Sequence, residues 1–461
     1  LATFVRIFYG VRFIVWNWDG GIWALAGESV RFAFLLSGAL VALAVWGKLT
    51  ERRFAGAAAI PTHAPATDPT APPRTSLVLQ FLSLLSIPAI YVGIVAGALV
   101  TVGLGVLLIM LLAEAGRVPV WLLIAAYGSP IAATIGAVYA LYRAVVPIVK
   151  PDQTVNVPRD QAPRLWALVS EVCRRVGTRE PDRIILHPLP TFYVMQGRAI
   201  AIDEEVRGRI LAVGAPLLRV LTARELQAVL AHEFAHFSGR DTLYSSFTSR
   251  VFSGLGAALT AIRTGAGVGG RVGLALDAVQ YPAYHYIVAF YRYLMSLNMV
   301  ISRSRELRAD WYAAHLYGAE AFRSGLEKAV GVAAHFPEAI KTLELSEPRE
   351  LYAAYARDLE AHPGAYARFV EAALEQGETE YSSHPRLQVR FDAASRVPFA
   401  SSDGASTHRA AEIVGELEPL EAKLADTLGT AVLHYQERQR AIEDEPTDDQ
   451  DEWDGSIDEE E

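Results

Sequence analysis

Two histidines four residues apart are the first side chains in this sequence that could do chemistry. They lie in Ala231-His-Glu-Phe-Ala-His236, which reads HExxH from His232 onward. Positions i and i+4 share one face of an α-helix, so His232 and His236 can reach a single metal ion. Glu233 can then act as general base toward a water on that ion. The alternative is a helix that holds two histidines by chance, and a third ligand would argue against it.

A second stretch, Ser302–Asp310, offers that ligand and reads SRSRELRAD. A catalytic zinc ion takes three protein ligands and leaves one position open for water. If Glu306 is the third ligand, Asp310 lies one turn further along the same face, where it can accept the free ring N–H of a zinc histidine. The alternative is a solvated charged face. Small residues at Ala309, Ala313 and Ala314 favour close helix packing instead.

A third stretch places a histidine and an arginine where a loop meets a helix. It contains Ser383-His384-Pro385, and Arg390 follows. Either side chain could stabilise the oxyanion that forms when water attacks a carbonyl carbon. Taken alone, a capping histidine and a surface arginine would explain the pattern equally well.

Together the three stretches resemble the membrane zinc metallopeptidases of the HtpX and CAAX prenyl protease type. That family carries HExxH, then SRxxExxAD, then a His-Pro segment with an arginine six residues after the histidine. The resemblance covers about residues 155–395. It implies that one zinc ion per chain is bound by His232, His236 and Glu306. Glu233 would be the general base, and Asp310 would support the ligands from behind. His384 and Arg390 would assist the transition state.

Two features depart from that family. An Asn-Ala strand motif ahead of HExxH is not matched at Thr191-Phe-Tyr-Val-Met195. The apolar segments also lie mostly before the motif, unlike those of the seven-span prenyl protease, which argues against CAAX processing.

The helices and strands expected around these residues indicate a mainly helical α+β fold of zincin type. A helical pattern after Asp160 stops at Gly177, and a capping box of Thr222 with Glu225 begins the motif helix. We expect this helix to end near Gly239, which puts HExxH well inside it. Four β-rich runs predict a small sheet at 183–187, 192–195, 199–202 and 209–213.

The first third of the chain predicts membrane helices. Phe32–Trp46 is apolar apart from Ser37, and no charged residue occurs from Leu77 to Leu112. We expect spans at about 32–47, 88–112 and 119–148, although two short spans turning near Gly97 are an alternative for the second. Residues 282–302 are expected to lie against the membrane. Lys and Arg residues in the loop 48–76 place the peptidase domain on the cytoplasmic side of an inner membrane.

The predicted domain organisation follows from these segments. It comprises an N-terminal segment with one span, a Pro/Ala-rich linker, a transmembrane region, the zinc metallopeptidase domain, a helical region and an acidic disordered tail, at 1–54, 55–76, 77–150, 151–400, 401–442 and 443–461.

Charge and cysteine content exclude several other classes. The formal charge is −9, but the last 19 residues contain 12 Asp or Glu and no Lys or Arg. The rest of the chain is therefore slightly positive, and no nucleic-acid surface is expected. The single cysteine, Cys173, excludes an intramolecular disulfide and a multi-cysteine zinc site. Its apolar surroundings predict a buried, inert thiol.

The sequence therefore predicts a membrane-anchored zinc endopeptidase that acts on protein or peptide substrates in quality control or processing at the lipid bilayer. The substrate is expected to add as a strand to a sheet edge near Ile210–Val213. An alternative is a catalytically idle scaffold that keeps a structural zinc ion, and a third is a metal hydrolase of small esters or amides. The physiological substrate and the oligomeric state are left open.

Overall fold

A computed structural model describes most of the chain from Gln153 to Glu443. Its described ranges are 153–202, 204–237, 271–375, 384–400 and 410–443, with isolated positions at 31, 35, 38, 42, 251, 252 and 256. The three predicted spans, the linker 55–76 and the acidic tail after Glu443 lie outside these residues, apart from the isolated positions. None of the described helices combines the length and the apolar composition that a membrane crossing requires.

The chain divides into two compact units. The sheet unit comprises Lys150–Phe234, Ala313–Gln376 and Phe399–Glu461. The Glu306 unit comprises Leu1–Val149, Ala235–Tyr312 and Gly377–Pro398. Nine helices occur in the described ranges: α1 Pro163–Val176, α2 Ala215–Val220, α3 Ala223–Ala235, α4 Arg271–Tyr317, α5 Ala319–Thr342, α6 Leu351–Ala361, α7 Ala367–Glu375, α8 Leu387–Ser395 and α9 Ala410–Glu443, with a 3₁₀ turn at Pro348–Glu350.

The described residues of the sheet unit form a mixed four-stranded sheet, which confirms the α+β prediction. Its strands are β1 Val155–Asn156, β2 Arg183–His187, β3 Phe192–Ile200 and β4 Glu205–Gly214, in the order β1-β2-β4-β3. β2 pairs parallel with β4, and β3 pairs antiparallel with β4. The two short runs predicted at 192–195 and 199–202 form the single strand β3 and its end.

The predicted sheet edge near Ile210–Val213 is wrong. These residues lie on β4, which has hydrogen-bonded neighbours on both sides, and all four are buried. A strand that is buried and paired on both sides has a continuous apolar run, so periodicity alone does not separate it from an edge strand. The edge strand beside it is β3, whose side chains are largely half-buried or exposed.

Helix α1 packs its apolar face into the core and ends at a glycine. Gly177 adopts φ 76°, a left-handed conformation that glycine reaches without a steric penalty. Cys173 lies on the buried face, and burial raises the pKa of its thiol to about 12. A thiol that stays protonated at neutral pH is a poor nucleophile, which confirms the inert role predicted for it.

The capping box that begins the motif helix α3 is confirmed. The Thr222 N–H donates to Glu225 Oε2 over 2.7 Å, and the Glu225 N–H donates to Thr222 Oγ1 over 3.3 Å. The predicted end at Gly239 is wrong, because α3 ends at Ala235 and His236 follows in a turn. HExxH therefore lies at the carboxyl end of its helix rather than well inside it.

Helix α9 is anchored within the sheet unit by polar contacts to α2 and to the end of α5. Arg219 Nε on α2 donates to Glu421 Oε2 over 3.1 Å, and Glu421 is almost fully buried. The Gln436 side-chain amide donates to the carbonyl oxygens of Ile340, Lys341 and Leu343 at the end of α5. The carbonyls of the last helical turn have no partner within their own helix, so Gln436 acts as a cap for α5 by binding Ile340 and Lys341 in that turn and Leu343 just after it.

At Gly429, helix α9 lies against the backbone of Pro348. A Cβ atom built there would overlap the carbonyl oxygen and Cα of Pro348. We expect Gly429→Ala to lower the free energy of unfolding by about 1–3 kcal/mol, because backbone atoms cannot move aside easily. Gly415→Ala on the same helix is the control. A Cβ atom there meets nothing within 4 Å, so helix propensity should raise stability by up to about 1 kcal/mol. Denaturant unfolding of both variants measures the difference, and equal effects would contradict the close approach.

Candidate metal centre

The motif helix α3 carries His232, and its other side is packed into the core, while His236 follows in the turn after the helix. Its apolar positions Leu226 and Leu230 are fully buried, as is Phe234. The Arg209 guanidinium on β4 lies 5.9 Å from the Phe234 ring centroid, so a cation–π contact joins the sheet to this helix. His232 is buried, and Glu233 is half-buried. The helix is thus fixed while its glutamate stays accessible.

The Glu306 carboxylate on α4 is buried and has close neighbours at both oxygens. His236 Nε2 lies 3.5 Å from Glu306 Oε1. His384 Nδ1 lies 3.0 Å from Glu306 Oε2, and Arg390 Nη2 lies 3.4 Å from the same oxygen. The two carboxylate oxygens therefore have different neighbours. Oε1 lies next to a motif histidine, and Oε2 lies next to His384, which precedes α8, and Arg390, which is on α8.

Arg390 and Asp310 form a buried bidentate ion pair within the Glu306 unit. Arg390 donates through Nε to Asp310 Oδ2 over 2.9 Å and through Nη2 to Asp310 Oδ1 over 2.7 Å. The Asp310 side chain is 1% exposed and that of Arg390 is 6% exposed. The solvated charged face considered for Ser302–Asp310 is therefore wrong. That Asp310 orients a zinc histidine stays a prediction.

His384 and Arg390 differ in access to solvent. The His384 side chain is 62% exposed, whereas Arg390 is enclosed with two carboxylates. A substrate carbonyl could approach His384 without rearrangement. The geometry of Arg390 suits the placement of Glu306 and Asp310, and its direct contact with an oxyanion stays a prediction.

Among the described residues, His232, His236 and Glu306 form a cluster that could hold a metal ion. One potential ligand atom from each lies within 4.8 Å of the others. Two imidazoles and one carboxylate are a donor set that catalytic zinc ions use, with an open position for water. The residues present therefore fit zinc.

Sequence patterns gave no sign of the residues that pack against the motif helix from α5. The Phe322 ring stacks on the His232 ring, and Ser324 and Lys328 bind Glu225. These residues belong to no motif and lie about a hundred positions away from α3 in the chain. Only the helical periodicity of α5 could have indicated that one of its faces is buried.

The chain is similar to several known peptidases over this region. The model of peptidase family M48 matches residues 187–397. A protease HtpX homolog from Persephonella marina is 30% identical over 251 residues, which cover 51% of this chain and 75% of that protein. A protease HtpX homolog from Pelotomaculum thermopropionicum is 32% identical over 168 residues, or 35% of this chain and 56% of that protein. A third, from Ralstonia pickettii, is 28% identical over 244 residues and 74% of its length.

Proposed function

This chain belongs to peptidase family M48, and on that premise we propose that it is a zinc-dependent endopeptidase acting on protein substrates. The observation that carries the proposal is the cluster of His232, His236 and Glu306, since three zinc-type ligands converge beside the glutamate of HExxH. A structural zinc ion would need four closed ligands, whereas this set leaves room for water.

Zinc, when bound by these three residues, supplies a Lewis acid that acidifies water and polarises a carbonyl group. Glu233 adjoins the first ligand and is half-buried, so its carboxylate can take a proton from water and later give it to the leaving amine. His384 is exposed beside Glu306 and can donate a hydrogen bond to the oxyanion. Arg390 and Asp310 hold Glu306 in place from the other side.

The peptide substrate is proposed to align along β3 rather than β4. Among the described strands, β3 is the outer strand of the sheet and pairs with β4 alone. An extended peptide can add there through main-chain hydrogen bonds, which impose little sequence preference. This suits an endopeptidase that acts on varied, partly unfolded chains.

A membrane setting is part of the proposal and rests on the sequence. The uncharged run from Leu77 to Leu112 is long enough to cross a bilayer, and further apolar runs lie before and after it. Substrates would then be membrane proteins or chains near the cytoplasmic face of an inner membrane, in quality control or processing.

Chelation tests the role of zinc in the full chain. Zinc content should be close to one ion per chain, and removing it with a chelator should abolish cleavage of casein in detergent. Added Zn²⁺ should restore cleavage. Zinc binding without any proteolysis, before or after reconstitution, would favour the idle scaffold instead. Activity only on small esters or amides would favour a non-proteolytic hydrolase.

A further inference from the structure

Phe322 near the start of α5 faces the first histidine of the motif. The two ring centroids lie 6.2 Å apart and the ring planes differ by 24°, so the rings are stacked. Phe322 is 1% exposed, and His232 is also buried. Stacked aromatic pairs at this separation restrict each other's orientation and contribute beyond the area they bury.

The Glu225 carboxylate on α3 binds two side chains of the helix that carries Phe322. Glu225 Oε1 accepts a hydrogen bond from Ser324 Oγ over 2.6 Å, and Glu225 Oε2 accepts one from Lys328 Nζ over 2.8 Å. Burial opposes ionisation of Glu225, but these donors outweigh it and hold its pKa below the usual value. The capping residue of the motif helix therefore also fixes α5.

A glycine lets the two helices approach closely at this point. A Cβ atom on Gly325 would lie 3.2 Å from the Glu225 carbonyl oxygen and 3.2 Å from Val229 Cγ2. Both distances are shorter than most real Cβ contacts, so a larger residue would push α5 outward. Phe322 lies one turn before this contact, and its distance from His232 is therefore set by backbone packing rather than by a flexible side chain.

We propose that Phe322 is a positioning residue that fixes the plane of the His232 imidazole for metal binding. The inference rests on the proposed zinc function and adds a residue outside the motifs. A ligand histidine that is already restrained in its bound orientation loses less side-chain entropy when the metal binds. Without the aromatic face, His232 can rotate away from the cluster.

Zinc affinity of the full chain tests this role. We expect Phe322→Leu to raise the zinc dissociation constant about tenfold, in the range typical for residues that support metal ligands. Phe322→Met, which keeps more of the side-chain volume, should have a similar effect because it also lacks a flat face. Competition with a chromophoric chelator measures the constant without any dependence on catalysis.

Phe336→Leu is the matched control. Phe336 lies on the same helix, is fully buried and packs against Tyr352 and Tyr355 rather than His232. It should lose a similar amount of stability while its zinc dissociation constant stays within twofold of the unmodified chain. A loss of stability alone therefore does not account for the result expected at Phe322.

A spectroscopic measurement separates positioning from packing. With Co²⁺ saturating the site, the visible absorption bands of Phe322→Leu should shift, and those of Phe336→Leu should not. Unchanged zinc affinity and Co²⁺ spectra in both Phe322 variants would overturn the proposal, as would failure of both to fold while Phe336→Leu folds. If the unmodified chain itself bound no zinc, the proposed function would fail first.

Discussion

Glu233→Gln should lower kcat/KM for casein cleavage by about 10²–10⁴-fold, the usual contribution of a positioned general base. The amide has nearly the same shape as the carboxylate but cannot take a proton from water. His232, His236 and Glu306 are unchanged, so the variant should still contain one zinc ion per chain. Elemental analysis of the purified protein and a progress curve with casein give both quantities.

A control variant and the zinc content show whether the loss of cleavage comes from the missing general base. Glu320→Gln changes an exposed glutamate on α5 and should leave both zinc content and cleavage unchanged. Equal cleavage by Glu233→Gln and the unmodified chain would refute the general-base assignment. Loss of zinc in Glu233→Gln would show instead that Glu233 supports the metal site, and the fall in activity would then say nothing about proton transfer.

Arg390→Met should lower the free energy of unfolding by about 3–5 kcal/mol, which is the cost of leaving a buried charge without its partner. Asp310 is nearly inaccessible to solvent and accepts both Arg390 hydrogen bonds at 2.7–2.9 Å. Zinc affinity should fall as well, because Arg390 also faces Glu306. Denaturant unfolding followed by circular dichroism measures the first effect.

A double variant distinguishes charge from volume at this pair. Asp310→Leu combined with Arg390→Met removes both charges and should recover much of the lost stability, since apolar replacements of buried ion pairs are often tolerated. Arg386→Met, at an exposed position just before α8, should change stability by less than about 0.5 kcal/mol. A single Arg390→Met variant as stable as that control would mean that the pair contributes little.

The candidate metal ligands could be predicted from the sequence motifs, because metal binding requires particular residue types at fixed helical spacing. SRxxExxAD lies on one helix, and HExxH begins in the last turn of another and ends just beyond it, so the spacing within each motif follows largely from local helical periodicity. The convergence of His236, Glu306 and His384 depends on tertiary packing, and only the resemblance to a family anticipated it. The sequence does not distinguish Phe322 from other aromatic residues, because every buried aromatic residue on an amphipathic helix has the same helical spacing.

The errors in the predicted fold have equally specific causes. β4 was predicted as an edge because its four apolar residues carry no sign of how many strands flank them. The end of α3 was placed at a glycine, although the helix ends four residues earlier at Ala235. The position at which a helix ends depends on which of its last carbonyl groups have hydrogen-bond partners outside the helix. Such partners come from residues that are distant in sequence, so the local sequence does not indicate the end.

The anchoring of α9 bears on how the peptidase could be divided into pieces. The family match covers residues 187–397, so it begins at the last residue of β2 and ends before α9. A fragment cut at those limits would expose the β2 side of β4 with its apolar residues, a surface prone to aggregation. It would also lack Glu421, which binds Arg219, and Gln436, which caps the end of α5. The evolutionary unit and the folding unit of this peptidase therefore have different boundaries.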